Sequence, residues 1–361
     1  MSRPLTDYSL AELEDLFASW GVKRAHAARV LRGVYAGGGP SCGSGFASRL
    51  PDRPDFRLPA ELHARLSDSF AAPSTTLAAR QVADDGTTKL LLRLADARTV
   101  ETVLMPDYRD DRAAGCVSSQ VGCAMRCDFC ATTKTGFDRN LTAGEIVDQF
   151  IALRHEARAV GRTLQTLVFM GMGEPLLNME AVLAAAERIA DNRVGGLGAR
   201  QITVSTVGIV PGIEALTASD LNVNLAVSLH APDDATRARI VPTGRAYRIT
   251  DILAAADRFQ ASRGRPVTIQ YCLLRGVNDS LEQAAQLAGL LAERRMHVNL
   301  LRYNSTGTSL QGRTYDPPSD AEADAFVGAL RAKGVVAHFR RPRGRDIDAA
   351  CGQLRERMTG A

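Results

Sequence analysis

Cys123, Cys127 and Cys130 stand in a C-x3-C-x2-C spacing inside the run CVSSQVGCAMRCDFC, residues 116–130. Three thiolates on one short loop hold three irons of a four-iron cluster and leave the fourth open to bind a substrate. Structural zinc and ordinary electron-transfer clusters instead take a fourth protein ligand. Cys116 would supply that ligand in an alternative C-x6-C-x3-C-x2-C reading, a closed zinc or electron-transfer site. Phe129, just before the last cysteine, is placed to shield the loop from water on either reading. A further thiol near the other end of the chain, Cys351, lies between Ala350 and Gly352 and within a dozen residues of Arg340, Arg341, Arg343 and Arg345. Small neighbours on a mobile segment let a thiol enter and leave a site, and arginines lower its pKa, although such a basic cluster also suits a solvated edge. Cys272 and Cys42 have no partner in these patterns and read as inert, one in a buried strand and one in a loop.

The elements that would position these groups follow from periodicity. Residues 9–35 carry apolar positions at helical spacing (Leu10, Leu13, Leu16, Phe17, then Val30, Leu31, Val34), and a short helix is expected near 59–70. Between them GGGPSCGSG (37–45) reads as a flexible loop. Residues 81–106 alternate and turn at Asp85-Gly86 and near Asp96, as a small β-meander does, with Glu101 on its last strand. From residue 115 onward, strand-like runs at 115–121, 165–170, 201–205, 222–229, 266–274 and 297–303 alternate with amphipathic helices. That alternation predicts a parallel sheet of six units, a partial barrel whose function collects at the C-terminal ends of its strands. Gly173, Glu174, Ser205, Ser228, His230, Asn278 and Asn304 all fall at or just past those ends. The expected organisation is a helical unit over 1–75, a meander over 76–114, the barrel over 115–345 and a terminal segment over 346–361.

Composition sets outer bounds. The 361 residues suffice for one large domain plus a small one, and 45% hydrophobic with 23% charged residues is the ordinary globular range. No run approaches the roughly 18 apolar residues of a membrane span, and MSRPLTDYSLAELEDLF has acidic residues where a signal peptide needs basic ones. A cytoplasmic protein with no membrane partner is expected. Seven cysteines, four of them within 116–130, do not form a secreted disulfide framework. The net charge of +4 is too small to identify a nucleic-acid partner, and the dominance of arginine among the 44 basic residues reads first as genome composition.

The cysteine spacing resembles the radical S-adenosylmethionine (SAM) superfamily, and the run from Cys116 to Gln149 resembles the RlmN/Cfr family of RNA methyltransferases. GMGEPLLN (171–178), ITVSTVGIVPGI (202–213), LAVSLHAPDD (225–234), GVND (276–279) and GRDIDAACGQL (344–354) follow in that family's order. The resemblance implies an α/β fold, a partial (β/α)6 radical SAM barrel with a small N-terminal helical domain that docks RNA. It implies a [4Fe-4S] cluster on Cys123, Cys127 and Cys130, and SAM, two per turnover, held by Gly173, Glu174, Ser205, Ser228, Leu229, His230 and Asn304. In the same way Cys351 is implied as methyl carrier, Cys116 as its resolving partner and Glu101 as proton acceptor. An aromatic adenine carbon is too poor a nucleophile for polar methyl transfer, which is why a radical route is needed. The implied reaction is methylation at C2 of an adenosine in 23S rRNA, with tRNA as a further substrate, by a monomer reduced by a donor such as flavodoxin. C8 methylation, the resistance chemistry of Cfr, uses the same cysteines. GIVPGI and LLRYNSTG (300–307) lean towards that branch, DDGTTK (84–89) and RDIDAACGQL towards the C2 branch, and PTGRAY (242–247) departs from both. A non-enzymatic iron-sulfur or zinc RNA-binding module would need Cys116 as a ligand and would leave Cys351 without a purpose. A radical SAM enzyme on another substrate suits the Cys116 and Cys351 pair less well.

Overall fold

The computed structural model describes residues 3–37, 56, 58–71, 73–340 and 342–354. Arg341, Cys42 and the rest of the glycine-rich loop after Gly37 lie outside the described residues. Three helices, α1 (Leu10–Ser19), α2 (Ala25–Ala36) and α3 (Ala60–Ser69), form the N-terminal unit. α1 starts at a capping box in which the Glu12 amide donates to Ser9 Oγ and the Ser9 amide to the Glu12 carboxylate. Their apolar faces join one continuous core with the rest of the chain. The unit is fastened to it by the Gly144 amide donating to Asp7 Oδ1 at 2.8 Å and by Arg188 donating to the Thr6 carbonyl at 3.0 Å.

Three antiparallel strands follow, β1 (Thr75–Val82), β2 (Thr88–Leu94) and β3 (Thr99–Pro106), with the expected turns between them. They do not stand apart from the barrel. β3 pairs antiparallel with β4 (Arg112–Cys116), Val103 opposite Cys116, so the meander extends the main sheet. The single strand expected over 115–121 is broken: β4 ends at Cys116, and β5 (Gln120–Gly122) turns aside to pair with β6 (Phe137–Asn140) around the cysteine loop. The linker between them is held by Gln149 of α4 (Ala143–Ala159), which accepts from the Ser118 amide at 2.7 Å and donates to the Ser118 carbonyl at 3.0 Å.

Thereafter strands and helices alternate: β7 (Thr163–Phe169), α5 (Met179–Ala190), β8 (Ile202–Thr206), α6 (Val210–Ala218), β9 (Asn224–Ser228), α7 (Asp234–Ile240), α8 (Ile249–Arg263), β10 (Val267–Leu273), α9 (Leu281–Leu291), β11 (Met296–Arg302), α10 (Asp320–Ala332) and β12 (Ala337–Arg340). The sheet order is β1-β2-β3-β4-β7-β8-β9-β10-β11-β12, parallel from β4 onward. Six βα crossovers thus carry seven parallel strands. The last strand, β12, lies in the stretch read from sequence as a basic cluster, because only four residues pair there and their alternation is too short to stand out.

The sheet stays open between β12 and the meander edge, and residues 342–354 cross that opening. The Gly344 amide donates to Asp85 Oδ2 at 3.1 Å and the Asp84 amide to Asp346 Oδ2 at 3.0 Å, which fixes the segment to the β1–β2 turn. No helix among the described residues is long and apolar enough to cross a membrane.

Candidate active site

The cysteine loop is set by backbone hydrogen bonds. The Cys123 amide donates to the Gly136 carbonyl (2.7 Å), the Asp128 amide to Ile240 (2.8 Å) and the Cys130 amide to Cys127 (3.0 Å). Side chains complete the frame: Thr133 Oγ1 donates to the Cys130 carbonyl at 2.8 Å, Thr243 Oγ1 to Met125 at 2.9 Å, and the Tyr315 hydroxyl to the buried Asp128 carboxylate at 2.6 Å. Cys123, Cys127 and Cys130 all line one cleft at the C-terminal ends of the parallel strands, with about 1030 Å³ of open space counted out to its mouth. Burial raises all three thiols, Cys123 to about 12, and Phe129 packs edge-on against the His230 ring at 4.9 Å.

Gly173, Glu174, Ser205, Ser228, His230 and Asn304 line the same cleft. The two glycines of GMGE have a more local reason than approach to a ligand. A Cβ on Gly171 would lie 2.7 Å from Ser118 Oγ, and one on Gly173, at φ +101°, 2.6 Å from Gln120 Cβ. Both let this loop lie against the 117–120 linker. Glu174 is buried, and its carboxylate accepts from the Val207 amide at 2.9 Å and the Leu176 amide at 3.0 Å. Burial outweighs those hydrogen bonds and raises its pKa from 4.5 to about 7. His230 has positive φ (60°), and its Nδ1 accepts from the Cys272 amide at 3.0 Å, which leaves Nε2 as the protonated nitrogen. Burial, with Arg237 second, lowers its pKa to about 3. Leu229, expected beside them, is fully buried and contributes backbone only: its amide donates to Gln270 and its carbonyl accepts from Arg237. Asn278 is structural too, tying the His230 and Cys272 carbonyls together with two 2.7 Å bonds.

A second lobe of about 800 Å³ adjoins the first and is lined by Val103, Met105, Cys116, Val168, Arg343 and Ala350. Cys351 lines both lobes; Cys116 lines only the second. Cys116 shares the second lobe with Cys130 but is absent from the first, which all three loop cysteines line. It is buried at the end of β4, its thiol raised to about 12 by burial and then by Cys351. Cys351 is exposed, and both thiols are free. The segment bearing Cys351 is docked rather than loose. The Ala131 amide donates to the Gly352 carbonyl (2.7 Å), Thr132 Oγ1 to Leu354 (2.7 Å) and Asn304 Nδ2 to Cys351 (3.3 Å). Asn304 also accepts from Arg345 Nε at 2.8 Å, so its amide holds this segment as well as facing the cleft.

With this geometry in place, comparison with known proteins is decisive. Residues 117–288 match the radical SAM superfamily model. A probable dual-specificity RNA methyltransferase RlmN 1 from Opitutus terrae is 65% identical over 98% of this chain and 97% of its own. The chain belongs to the RlmN family. A second relative, the probable dual-specificity RNA methyltransferase RlmN of Rhodopirellula baltica, is 42% identical over 97% of this chain and 90% of its own. The crystal structure of a radical SAM methyltransferase from Sphaerobacter thermophilus superposes with a TM-score of 0.88 at 42% identity, covering 98% of this chain and 99% of that one.

A radical SAM member of the RlmN family uses a [4Fe-4S] cluster and SAM, and the residues here fit both. Among the described residues no three His, Cys, Asp or Glu side chains close on a point as a single metal ion demands, yet three cysteines ring one cleft. Three thiolates facing one cleft suit a cluster, in which each binds a different iron. Glu174, a buried carboxylate at the same cleft, suits the ammonium of an amino acid.

Other RlmN-family expectations are placed differently. Glu101 is fully buried on β3 and lines neither lobe; its Oε1 lies 3.1 Å from Nζ of the equally buried Lys89. By strand alternation it shares a face with Val103 and Met105, which do line the second lobe. Cys272, read as inert within its strand, faces the first lobe, although burial keeps its thiol protonated. Three positioning residues escaped sequence reading: Lys89, Tyr315 and above all Arg237. The Arg237 side chain is 1% exposed and donates to the carbonyls of Leu229 (3.2 Å), Gly244 (3.3 Å) and Val207. An arginine on a short helix reads as a surface residue, and only the oddity of Gly244 in PTGRAY pointed to it. A Cβ there would lie 2.4 Å from Arg237 Nη1.

Proposed function

We propose that this RNA methyltransferase methylates C2 of an adenosine, in 23S rRNA and in tRNA, through a methyl group carried on Cys351. The observation that carries this reading is that Cys351 lines both lobes, the first with the three loop cysteines and the second with Cys116 and Cys130. When bound, the cluster and SAM supply methyl groups and a one-electron route to a carbon radical, two SAM being consumed per turnover. Cys123, Cys127 and Cys130 hold the cluster. Glu174 receives the cofactor's ammonium, with Gly173, Ser205, Ser228, His230 and Asn304 lining its remaining contacts and Leu229 shaping the wall through its backbone. Phe129 and His230 keep water from that lobe.

Cys351 presents the methyl carbon towards the second lobe, where the adenine is received. Once that carbon is joined to the base, the adduct would lose one electron to the bound cluster and its ring proton to a protein base. The Cys116 thiolate then attacks the Cys351 sulfur, the sulfur–carbon bond breaks, and the released carbon takes up a proton to become the methyl group. The disulfide left behind is reduced by an external thiol or electron donor. Glu101, paired with Lys89 on the strand face that continues into this lobe, is assigned as the proton acceptor. The helical unit over 1–75 is assigned to RNA docking, the protein acts as a cytoplasmic monomer, and a flavodoxin-type protein supplies electrons. C8 methylation remains the rival outcome within the same constellation.

Nucleosides from 23S rRNA and tRNA of a strain lacking the gene, complemented with wild type or Cys351→Ala, decide the matter by mass spectrometry. Restoration of 2-methyladenosine by wild type alone is expected. The appearance of 8-methyladenosine instead would move the activity to the other carbon, and no change in either nucleoside would overturn the assignment.

A further inference from the structure

An exposed aromatic side chain stands beside Arg343, a residue lining the second lobe, and has no part in the chemistry above. Tyr108, in the turn between β3 and β4, is 82% exposed, the most exposed large apolar or aromatic side chain among the described residues. The guanidinium of Arg343 lies over its ring, 5.6 Å from the centroid, and Arg343 itself lines the lobe that contains Cys116 and Cys351. The ring is therefore one side chain away from the wall of the lobe, with surface left open to solvent.

Its turn is held firmly. Arg162 Nη1 donates to the carbonyls of Arg109 (3.0 Å) and Arg112 (2.9 Å), the Asp107 amide donates to the Arg112 carbonyl (3.1 Å), and the Tyr108 amide donates to Asp107 Oδ1 (2.6 Å). An exposed tyrosine on a pinned turn, steadied by a cation, loses little entropy when something stacks on it. The turn's carboxylates are offset by cations, Asp110 by Arg162 and Asp111 by Arg112, with Arg109 alongside, so its charges nearly cancel. What stands out from it is the flat, uncharged face of the tyrosine ring, which suits a base.

We propose that Tyr108 is a stacking platform for the nucleobase adjacent to the target adenosine, braced by Arg343. The inference rests on the RNA reading above. An adenine reaches a buried lobe only by leaving its stack, and this strips one face of its neighbour. A tyrosine beside the lobe's wall covers that face and is tolerant of which base it is.

The test uses the reconstituted holoenzyme and an RNA fragment that wild type methylates. Tyr108→Ala is expected to raise KM for RNA about tenfold, the scale of one lost base–aromatic stack, with kcat at saturating RNA within about twofold. Tyr108→Phe is expected to match wild type. Because the platform reads no phosphate, the salt dependence of RNA binding should be the same in all three proteins. An RNA made abasic at the flanking nucleotide should show the same loss with wild type and no further loss with Tyr108→Ala. A wild-type KM in Tyr108→Ala, or a Tyr108→Phe as poor as Tyr108→Ala, overturns the platform while leaving the methyltransferase intact. A wild-type enzyme that methylates no RNA overturns both.

Discussion

Replacing Arg237 by methionine removes a buried cation and keeps an apolar stem of similar bulk. In the wild-type fold the guanidinium satisfies three carbonyls, at the ends of β8 and β9 and in the loop at Gly244. Each hydrogen bond from a charged donor contributes roughly 1.5–3 kcal/mol, and a carbonyl left buried and unpaired costs roughly 1–3 kcal/mol. Two of the bonds are long, 3.2 and 3.3 Å, which favours the low end. Burial also lowers the Arg237 pKa, so the wild-type protein already bears a desolvation cost that methionine relieves. Setting the relief against three lost bonds and two orphaned carbonyls, Gly244 still accepting from the Tyr247 amide, leaves a net loss of about 3 kcal/mol. Unfolding entropy of about 2.1 cal/mol/K per residue, over a chain of this length, gives about 0.76 kcal/mol/K, so Tm should fall by about 4 °C. Differential scanning fluorimetry of the iron-free protein reads that fall. Hydrogen exchange should localise it, with protection lost at residues 205–209, 228–231 and 242–247. Arg237→Lys restores the charge and part of the bonding, and should recover about half. A Tm within 1 °C of wild type for Arg237→Met would refute the claim that this guanidinium holds the cofactor loops together.

Cys116→Ala should reconstitute with as much iron as wild type, whereas Cys123→Ala should not. Equal iron loss in both would make Cys116 a ligand and return the closed-site reading. Gly173→Ala places a Cβ 2.6 Å from Gln120 Cβ at a φ of +101° and should lower Tm by about 3 °C, from about 2 kcal/mol of strain; an unchanged Tm would show that the loop moves freely. His230 is held to a pKa of about 3 by burial and then Arg237, against 6.5 in the unfolded chain. Between those values the unfolded chain binds the proton and the folded chain does not, so stability falls as pH drops below 6.5. Urea titrations from pH 6.5 to 5 should show wild type losing about 1.5–2 kcal/mol more than His230→Gln, and parallel losses would place the imidazole in water.

The cysteine loop, the strand-end polar residues and the six βα units were legible because each has a short local signature: a fixed spacing, a glycine turn or an apolar run bounded by polar residues. Other features depend on partners far away in the chain. The β3–β4 pairing that joins the meander to the barrel is such a case, since nothing in TVETVLMP says which strand lies beside it. The burial of Lys89 is another: a lone lysine in a strand reads as solvent-facing, and its ion pair with Glu101 of the neighbouring strand is formed inside the protein. Glu101 itself was expected at the reacting base and is found on the right strand face but outside both lobes. A two-residue period gives the face of a strand and says nothing of depth along it.

The terminal segment shows how one local feature does two jobs. Open neighbours around Cys351 suggested a swinging thiol, yet residues 342–354 also close the gap between β12 and the meander and line both lobes. Gly344 sits at a positive φ where a Cβ would lie 2.9 Å from Thr87 Cγ2, so this crossing is packed tightly against the β1–β2 turn. Gly352, also at positive φ, lies where the chain turns beside the cysteine loop with no such crowding. The anchor is thus at the Gly344 end and the freedom at the Gly352 end. Any movement of Cys351 between lobes is most economically made by rotating about residues 350–353 while the 344–349 stretch stays fixed, which requires breaking the Ala131–Gly352, Asn304–Cys351 and Gln353–Ser305 hydrogen bonds.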